Sequence, residues 1–326
     1  MKKKKNQPED ISTHLLAIGL ACGMRPGLIG ELFALCNDPE KLVRKICSDQ
    51  ESLISQAPHP TSKLIKAIHS VSDKVFEAAK LVVEMDHAGI CFITRMDYDY
   101  PKRLLRFMGE GAPWFLFYTG NKKLLEADSF LGIVGTRYPS GKGYVTSEFF
   151  ARKAAEHDTV VVSGGAKGID EAAHIAAMEE GSTIIIVPSG QTFYRGMKKI
   201  RRRFKSANHL LLSEFPPGQP GTRSTPVQRN RTVAALSDAL LVVETGTSGG
   251  TLHTVRFARE LKKPILVADF SPDKNPEGNQ SLIKTIGGDI QTPGEGKKVS
   301  FSRIDEALKK GRQIFKKEPI VQEGFL

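Results

Sequence analysis

From residue 130 onward the chain alternates short apolar runs with longer amphipathic stretches. The runs fall at 130–134, 159–163, 183–187, 210–213, 239–244 and 265–269. Five of the six are continuously apolar, as strands covered on both faces by helices must be. Between them, residues 144–156, 170–180, 198–205, 229–236 and 252–261 carry helical spacing. Strand alternating with helix predicts an α/β fold, a doubly wound, mostly parallel Rossmann-like sheet.

The first ninety residues follow a different rhythm. Leu15, Leu16, Ile18 and Leu20, then Leu28, Ile29, Leu32, Phe33 and Leu35, repeat at helical spacing around the turn Gly23-Met24-Arg25-Pro26-Gly27. That turn fits either a helix-hairpin-helix, whose amides contact DNA phosphates, or a small helical bundle, and a single degenerate copy favours the bundle. Two more helices are predicted at 64–71 and 75–87, stopped by Gly89. Residues 90–94 read as a short strand. The aromatic run at 114–118 suggests that the connecting region docks on the sheet. The expected organisation is a disordered basic tail at 1–10, a helical module at 11–89, the Rossmann-like domain at 90–291 and a charged appendage at 292–326. The appendage includes a helix at 302–315 with Ile304, Leu308 and Phe315 on its apolar side.

Length and composition agree with this division. At 326 residues the chain suits two domains, and 40% hydrophobic with 25% charged residues is ordinary for a water-soluble protein. No apolar run approaches the roughly 20 residues of a membrane span. The opening lysines lead into polar residues and not into a signal sequence, so a cytoplasmic protein is expected. Cys22, Cys36, Cys47 and Cys91 show neither Cys-x-x-Cys spacing nor a histidine at zinc-ligand distance, so they read as reduced thiols with no metal. The formal charge of +11 points to a polyanionic partner. It is most concentrated at Arg195, Lys198, Lys199, Arg201, Arg202, Arg203 and Lys205, interleaved with Phe193, Tyr194 and Phe204, a secondary basic patch suited to nucleic acid.

The candidate chemistry sits where predicted strands end. Gly135-Thr136-Arg137, the stretch Ser163-Gly164-Gly165-Ala166-Lys167-Gly168, and Thr247-Ser248-Gly249 all precede helices. Free amides at such turns attract phosphate through hydrogen bonds and the helix dipole. Arg137 can fork onto a phosphate, and Lys167 can act as a point charge. Either Arg229 or Arg231 is a further phosphate ligand, while Glu214 and Glu244 read as carboxylates that orient the arginines. Asp170 reads as a helix cap and His174 as a core residue. Two nucleotide motifs fail on spacing. Five residues separate Gly135 from Gly141 where a P-loop has four, and Gly143 stands where that loop needs Ser or Thr for magnesium. The glycines of 164–168 miss the dinucleotide fingerprint, and the next strand ends Val187-Pro188-Ser189 without an acid for the ribose.

Taken in order, these turns carry a specific likeness. Gly135-Thr136-Arg137, Ser163 through His174, Ser189-Gly190 with Tyr194, Ser213-Glu214-Phe215-Pro216-Pro217-Gly218, Arg229-Asn230-Arg231 and Ser248-Gly249-Gly250-Thr251-Leu252 closely resemble the DNA-processing protein A family, DprA or Smf. The likeness runs over about 90–269, and Asp99-Tyr100-Pro101 and Leu104 resemble the family's entry into its Rossmann-like domain. It implies a cytoplasmic protein without catalysis or cofactor, which binds single-stranded DNA, dimerises through that domain and loads the RecA recombinase during natural transformation. On the matching positions it implies phosphate ligands at Arg137 and Lys167, in a pocket lined by the turn at 164–168 and by Tyr194; on physical grounds Tyr194 or Phe193 is expected to offer a stacking face. Two departures stand out. Arg195-Gly196-Met197 replaces a proline-containing continuation with an Asn-Arg pair, and the C-terminal residues are too few for the winged helix that many relatives carry. A relative serving phage defence or a mobile element fits the same motifs. A competing expectation is a nucleotide-binding or nucleotide-hydrolysing protein similar to the LOG phosphoribohydrolases, but Thr254 stands where their assisting glutamate would fall.

Overall fold

The computed structural model describes residues 9–194, 198–271, 273, 275–293 and 299–317. Of the tail expected at 1–10, residues 1–8 lie outside the described residues and 9 and 10 begin a helix; Arg195 and the side chains of Lys198 and Lys199 also lie outside them. The chain forms two compact units. Among the described residues, one runs through Tyr100 and includes Met108–Leu116, and the other takes Pro101–Phe107 and the residues from Phe117 to Lys317.

The first unit is helical. Its helices are α1 (Glu9–Ala21), α2 (Pro26–Leu35), α3 (Pro39–Ser48), α4 (Gln50–Gln56) and α5 (Ser62–Ala88), followed by strand β1 (Cys91–Thr94). Side-chain caps set the starts of three of them. Asp38 accepts from the Lys41 amide, Asp49 from Ser52 and Thr61 from Leu64. Gly89 ends α5 in the left-handed conformation, as its position predicted. The two helices expected at 64–71 and 75–87 are one continuous helix, because the intervening Ser72, Asp73 and Lys74 lack a glycine or proline to break it. In the turn after α1, the amides of Gly23, Met24 and Arg25 bond to Leu20, Gly19 and Cys22 carbonyls. Those amides are spent within the chain, which sets this turn apart from a phosphate-binding hairpin. Leu16, Ile18, Ile29, Leu32, Phe33 and Ile68 are almost fully buried, and Phe33 stacks on Trp114 at 4.7 Å.

The second unit contains a mixed sheet with helices packed against it. Its strands are β2 (Phe115–Gly120), β3 (Phe130–Val134), β4 (Val160–Ser163), β5 (Thr183–Val187), β6 (His209–Ser213), β7 (Ala239–Val242), β8 (Ile265–Asp269) and β9 (Asp289–Gln291). They lie in the order β2-β6-β5-β4-β3-β7-β8-β9. The β2–β6 pair is antiparallel and the pairs from β6 to β9 are parallel. The helices are α6 (Lys102–Met108), α7 (Gly141–Glu156), α8 (Ile169–Glu180), α9 (Lys198–Arg203), α10 (Thr225–Leu236), α11 (Gly250–Glu260), α12 (Glu277–Ile286) and α13 (Ser302–Lys317). Leu131, Ile133, Val161 and Leu241 share a hydrophobic cluster with α7, α8 and the Ile304 and Leu308 of α13. The intervening strand residues, such as Val162 and Leu240, point to the other face. There α10 packs on β3, β4 and β5, and α11 on β7 and β8.

The six predicted strands and six predicted helices of this unit, the one at 302–315 included, all form, with ends displaced by up to four residues. α12 and β9 escaped the sequence reading. Among the described residues no helix is long and apolar enough to cross a membrane.

Candidate functional site

The strand order places β3 between β4 and β7, so the chain leaves β3 in one direction and returns beside it from the other. A crevice opens outside the carboxyl ends of strands at such a switch point. Here it measures about 410 Å³. Three loops form it: Gly135 to Tyr138 after β3, Gly164 and Ala166 after β4, and Thr245, Gly246 and Ser248 to Gly250 after β7, with Pro226, Arg229 and Asn230 of α10.

These loops are tied to one another. The Thr136 amide donates to the Glu244 carbonyl at 2.7 Å, and the Ile169 amide to the Thr136 carbonyl at 3.2 Å. Glu244 accepts from both the amide and hydroxyl of Ser140, at 3.0 and 2.8 Å, while that hydroxyl caps α7 by accepting from Gly143. Asn230 Nδ2 donates to the Gly250 carbonyl at 3.0 Å, which joins α10 to the start of α11. Asn279, fully buried, accepts from the Thr245 amide and donates to the Val243 and Ala268 carbonyls, so the ends of β7 and β8 are clamped together. Both α8 and α11 begin at glycines that provide no side-chain cap, Gly168 and Gly249. Gly168 sits at φ +83°, with Thr136 and Arg137 backbone oxygens where a Cβ would go, so a side chain there would force the β3 and β4 loops apart.

The floor is a buried ion pair. Arg229, 5% exposed, donates through Nη1 to the Ile186 carbonyl at 3.0 Å and lies 4.0 Å from an Asp170 oxygen. Its Nε has no hydrogen-bond partner among the described residues. The guanidinium occupies the space that any side chain on Gly164 would need. Burial lowers the pKa of Arg229, with Asp170 and Tyr194 opposing the shift, and burial raises that of Asp170 although Arg229 opposes it. Asp170 also accepts from the Ala166 amide at 3.3 Å. It is thus the arginine's counter-ion, and the cap position expected of it belongs to Gly168. His174 is fully buried, bonds to Thr183 at 2.7 Å and is held neutral, its pKa pushed down to about 3 by burial and then by the charge of Arg229.

The structure brings Gly135, Thr136, Arg137, Gly164, Arg229, Ser248 and Gly249 together in the crevice. Arg137 is exposed on its rim. Ser163, Gly165 and Gly168 lie beneath the loops: the Ser163 hydroxyl donates to the Ile133 carbonyl, and the Gly165 carbonyl accepts from Tyr194 at 2.9 Å. Tyr194, only 9% exposed, packs with Met178, Ile185, Val187 and Ile200, and burial raises its phenol pKa. Its ring therefore supports the β4 turn and offers no stacking face, whereas Phe193 beside it is half-exposed. Lys167, Thr247 and Arg231 are exposed outside the crevice lining, Arg231 with its guanidinium 5.6 Å from the Phe257 ring. Glu214 accepts from Gln228 and Thr232 of α10, and so anchors the helix that carries Arg229. In α9, Ile200 is buried under exposed Arg201, Arg202 and Arg203. Tyr138, unremarked in the sequence, lines the crevice with 88% of its surface exposed. The signal that could have found it is an aromatic placed directly after Gly-Thr-Arg.

Comparison with known proteins follows the same stretch. The family model of the DNA recombination-mediator protein A matches residues 91–294. Protein Smf of Synechocystis is 33% identical over 187 residues, which cover 56% of this chain and 46% of that protein. DNA processing protein DprA of Streptococcus pneumoniae is 34% identical over 193 residues, covering 58% of this chain and 67% of its own. The matched stretch thus spans only about half of the Synechocystis protein. The X-ray structure of the pneumococcal DprA superposes with a TM-score of 0.68 at 24% identity, covering 91% of this chain and 98% of that one, a likeness of fold. A Helicobacter pylori DNA processing protein A, solved in a study of its single-stranded DNA binding mode, gives a TM-score of 0.55 at 26% identity over 62% of this chain and 90% of that one.

Proposed function

This chain belongs to the DNA recombination-mediator protein A family, and from that premise we propose that it binds single-stranded DNA in the switch-point crevice without breaking a bond. The observation that carries this reading is the meeting of three glycine-bearing loops and the exposed Arg137 in one pocket beside uncapped helix starts. Helix amides and dipoles hold anions there, and Arg137 adds a charged fork. The exposed arginines of α9 extend the attraction along a longer strand. Asp170, the carboxylate among the crevice-lining residues, is engaged by Arg229 and an amide, and Thr254 is buried where a LOG-type acid would act. That arrangement favours holding a backbone over hydrolysing a nucleotide.

The family resemblance extends the proposal to a cytoplasmic homodimer, assembled through the α/β unit, which delivers DNA to RecA in recombination or transformation. Fluorescence anisotropy tests the core of it. Oligo-dT should bind more tightly than duplex, and log affinity should fall linearly with log salt. Equal affinity for duplex, or no binding at low salt, would refute the reading. RecA strand exchange on DNA pre-coated with a single-strand-binding protein should speed up when this protein is added, and no change would remove the recombinase from the proposal.

A further inference from the structure

One aromatic among the described residues that line the crevice is Tyr138, and it lies next in sequence to Arg137. Single exposed apolar side chains are common and mean little by themselves. Tyr138 differs in where it stands and in how it is held. The residue is 88% exposed beside the groups that suit a phosphate. The backbone beneath it is fixed by a bond within the loop, the Tyr138 amide to Thr136 Oγ1 at 3.2 Å, and by bonds from Thr136 and Ser140 to Glu244, just beyond β7. A ring on a pre-ordered loop loses little entropy when a flat ligand covers it. Every base has such a face, whatever the sequence of the strand.

Tyr194, the aromatic that the sequence suggested for this role, is buried under the β4 turn with its hydroxyl bonded to Gly165. The crevice's accessible π surface is therefore that of Tyr138. Adjacent side chains of one loop match the two ends of a nucleotide, with anionic phosphate toward Arg137 and aromatic base toward Tyr138. Phosphate attraction alone would not separate a single strand from a duplex, because both present the same charged backbone. A base platform does separate them, since the bases of a duplex are already stacked on one another.

Resting on the reading of the crevice as a single-strand site, we propose that Tyr138 is its base-stacking platform and the residue that makes the crevice prefer unpaired DNA. The test compares wild type, Tyr138→Ala and Tyr138→Phe on oligo-dT and on an abasic deoxyribose-phosphate strand of equal length, with Arg137→Ala as the phosphate control. Y138A should weaken oligo-dT binding by roughly 5- to 150-fold. Y138F should bind as wild type does, and Y138A should match wild type on the abasic strand, while R137A loses affinity for both. The salt slope of Y138A should equal that of wild type. Unchanged oligo-dT affinity in Y138A, or an equal loss on the abasic strand, would overturn the assignment and leave the single-strand reading standing. Failure of the wild type itself to bind oligo-dT would overturn both.

Discussion

Two buried arginine–aspartate pairs sit at opposite edges of the same sheet, and the pair at the carboxyl edge lines the crevice. Before β3 and β7, Arg103 donates to both Asp238 oxygens at 3.3 Å and to the Ala127 and Asp128 carbonyls. The Phe130 and Phe315 rings flank its guanidinium at 4.4 and 4.8 Å. Asp238 also accepts the Phe130 amide. At the carboxyl edge, Arg229 stands farther from Asp170, at 4.0 Å, and its buried Nε has no partner among the described residues. The first pair is saturated and closes the structure. The second borders an open crevice, and its guanidinium is less fully bonded. A buried charge pair contributes little net stability, yet removing one member is costly.

That contrast can be broken from either side. The largest effect is expected for Asp238→Asn, which leaves Arg103 and the buried Lys263 without their counter-charge. Urea unfolding should show a loss of about 3–5 kcal/mol. Asp170→Asn should cost less, about 1–3 kcal/mol, because Arg229 keeps the Ile186 carbonyl and borders the open crevice. If both variants lose equal stability, the two edges do not differ in the way described.

An acid titration separates the core behind the floor from the floor itself. The folded state holds His174 neutral, with its pKa at about 3 against an ordinary 6.5, so the unfolded chain takes up the proton first. Stability should therefore fall as pH drops below about 6.5, and continue to fall toward 3, by up to about 1.4 kcal/mol per pH unit from this residue. His174→Gln should flatten that part of the curve in thermal unfolding. A variant whose melting temperature follows the wild-type pH dependence would place the acid sensitivity elsewhere.

The smallest stability effect belongs to the rim. Arg137→Ala should shift unfolding by less than about 0.5 kcal/mol, since the side chain is exposed. The same variant should lower the salt slope of DNA binding by roughly one unit. A slope equal to wild type would take Arg137 out of the phosphate contacts.

The sequence made the strands of the α/β unit legible because a buried parallel strand is an unbroken apolar run, with nothing else nearby to confuse it. α12 was missed because its short amphipathic stretch, Glu277–Ile286, has only Gly278 and Asn279 buried. β9 has only three residues, one of them buried, and leaves no periodic trace. Within the site, Gly135, Arg137, Gly164 and Ser248 were legible from glycine-and-donor spacing after predicted strands. Asp170 was misread because its position in a first helical turn suits a cap, and the guanidinium it faces comes from α10, fifty-nine residues later in the chain.

By itself, the sequence determined an α/β architecture whose anion-seeking turns gather at one sheet edge, because local periodicity and turn chemistry depend on neighbours in the chain. Only the tertiary structure decided which arginine and which tyrosine reach solvent. Arg229 and Tyr194 are buried by helices and strands distant in sequence, while Arg137 and Tyr138 stand on a loop that those same elements hold open. Residue type sets what a side chain can do, and burial by the rest of the fold sets which of those things it does.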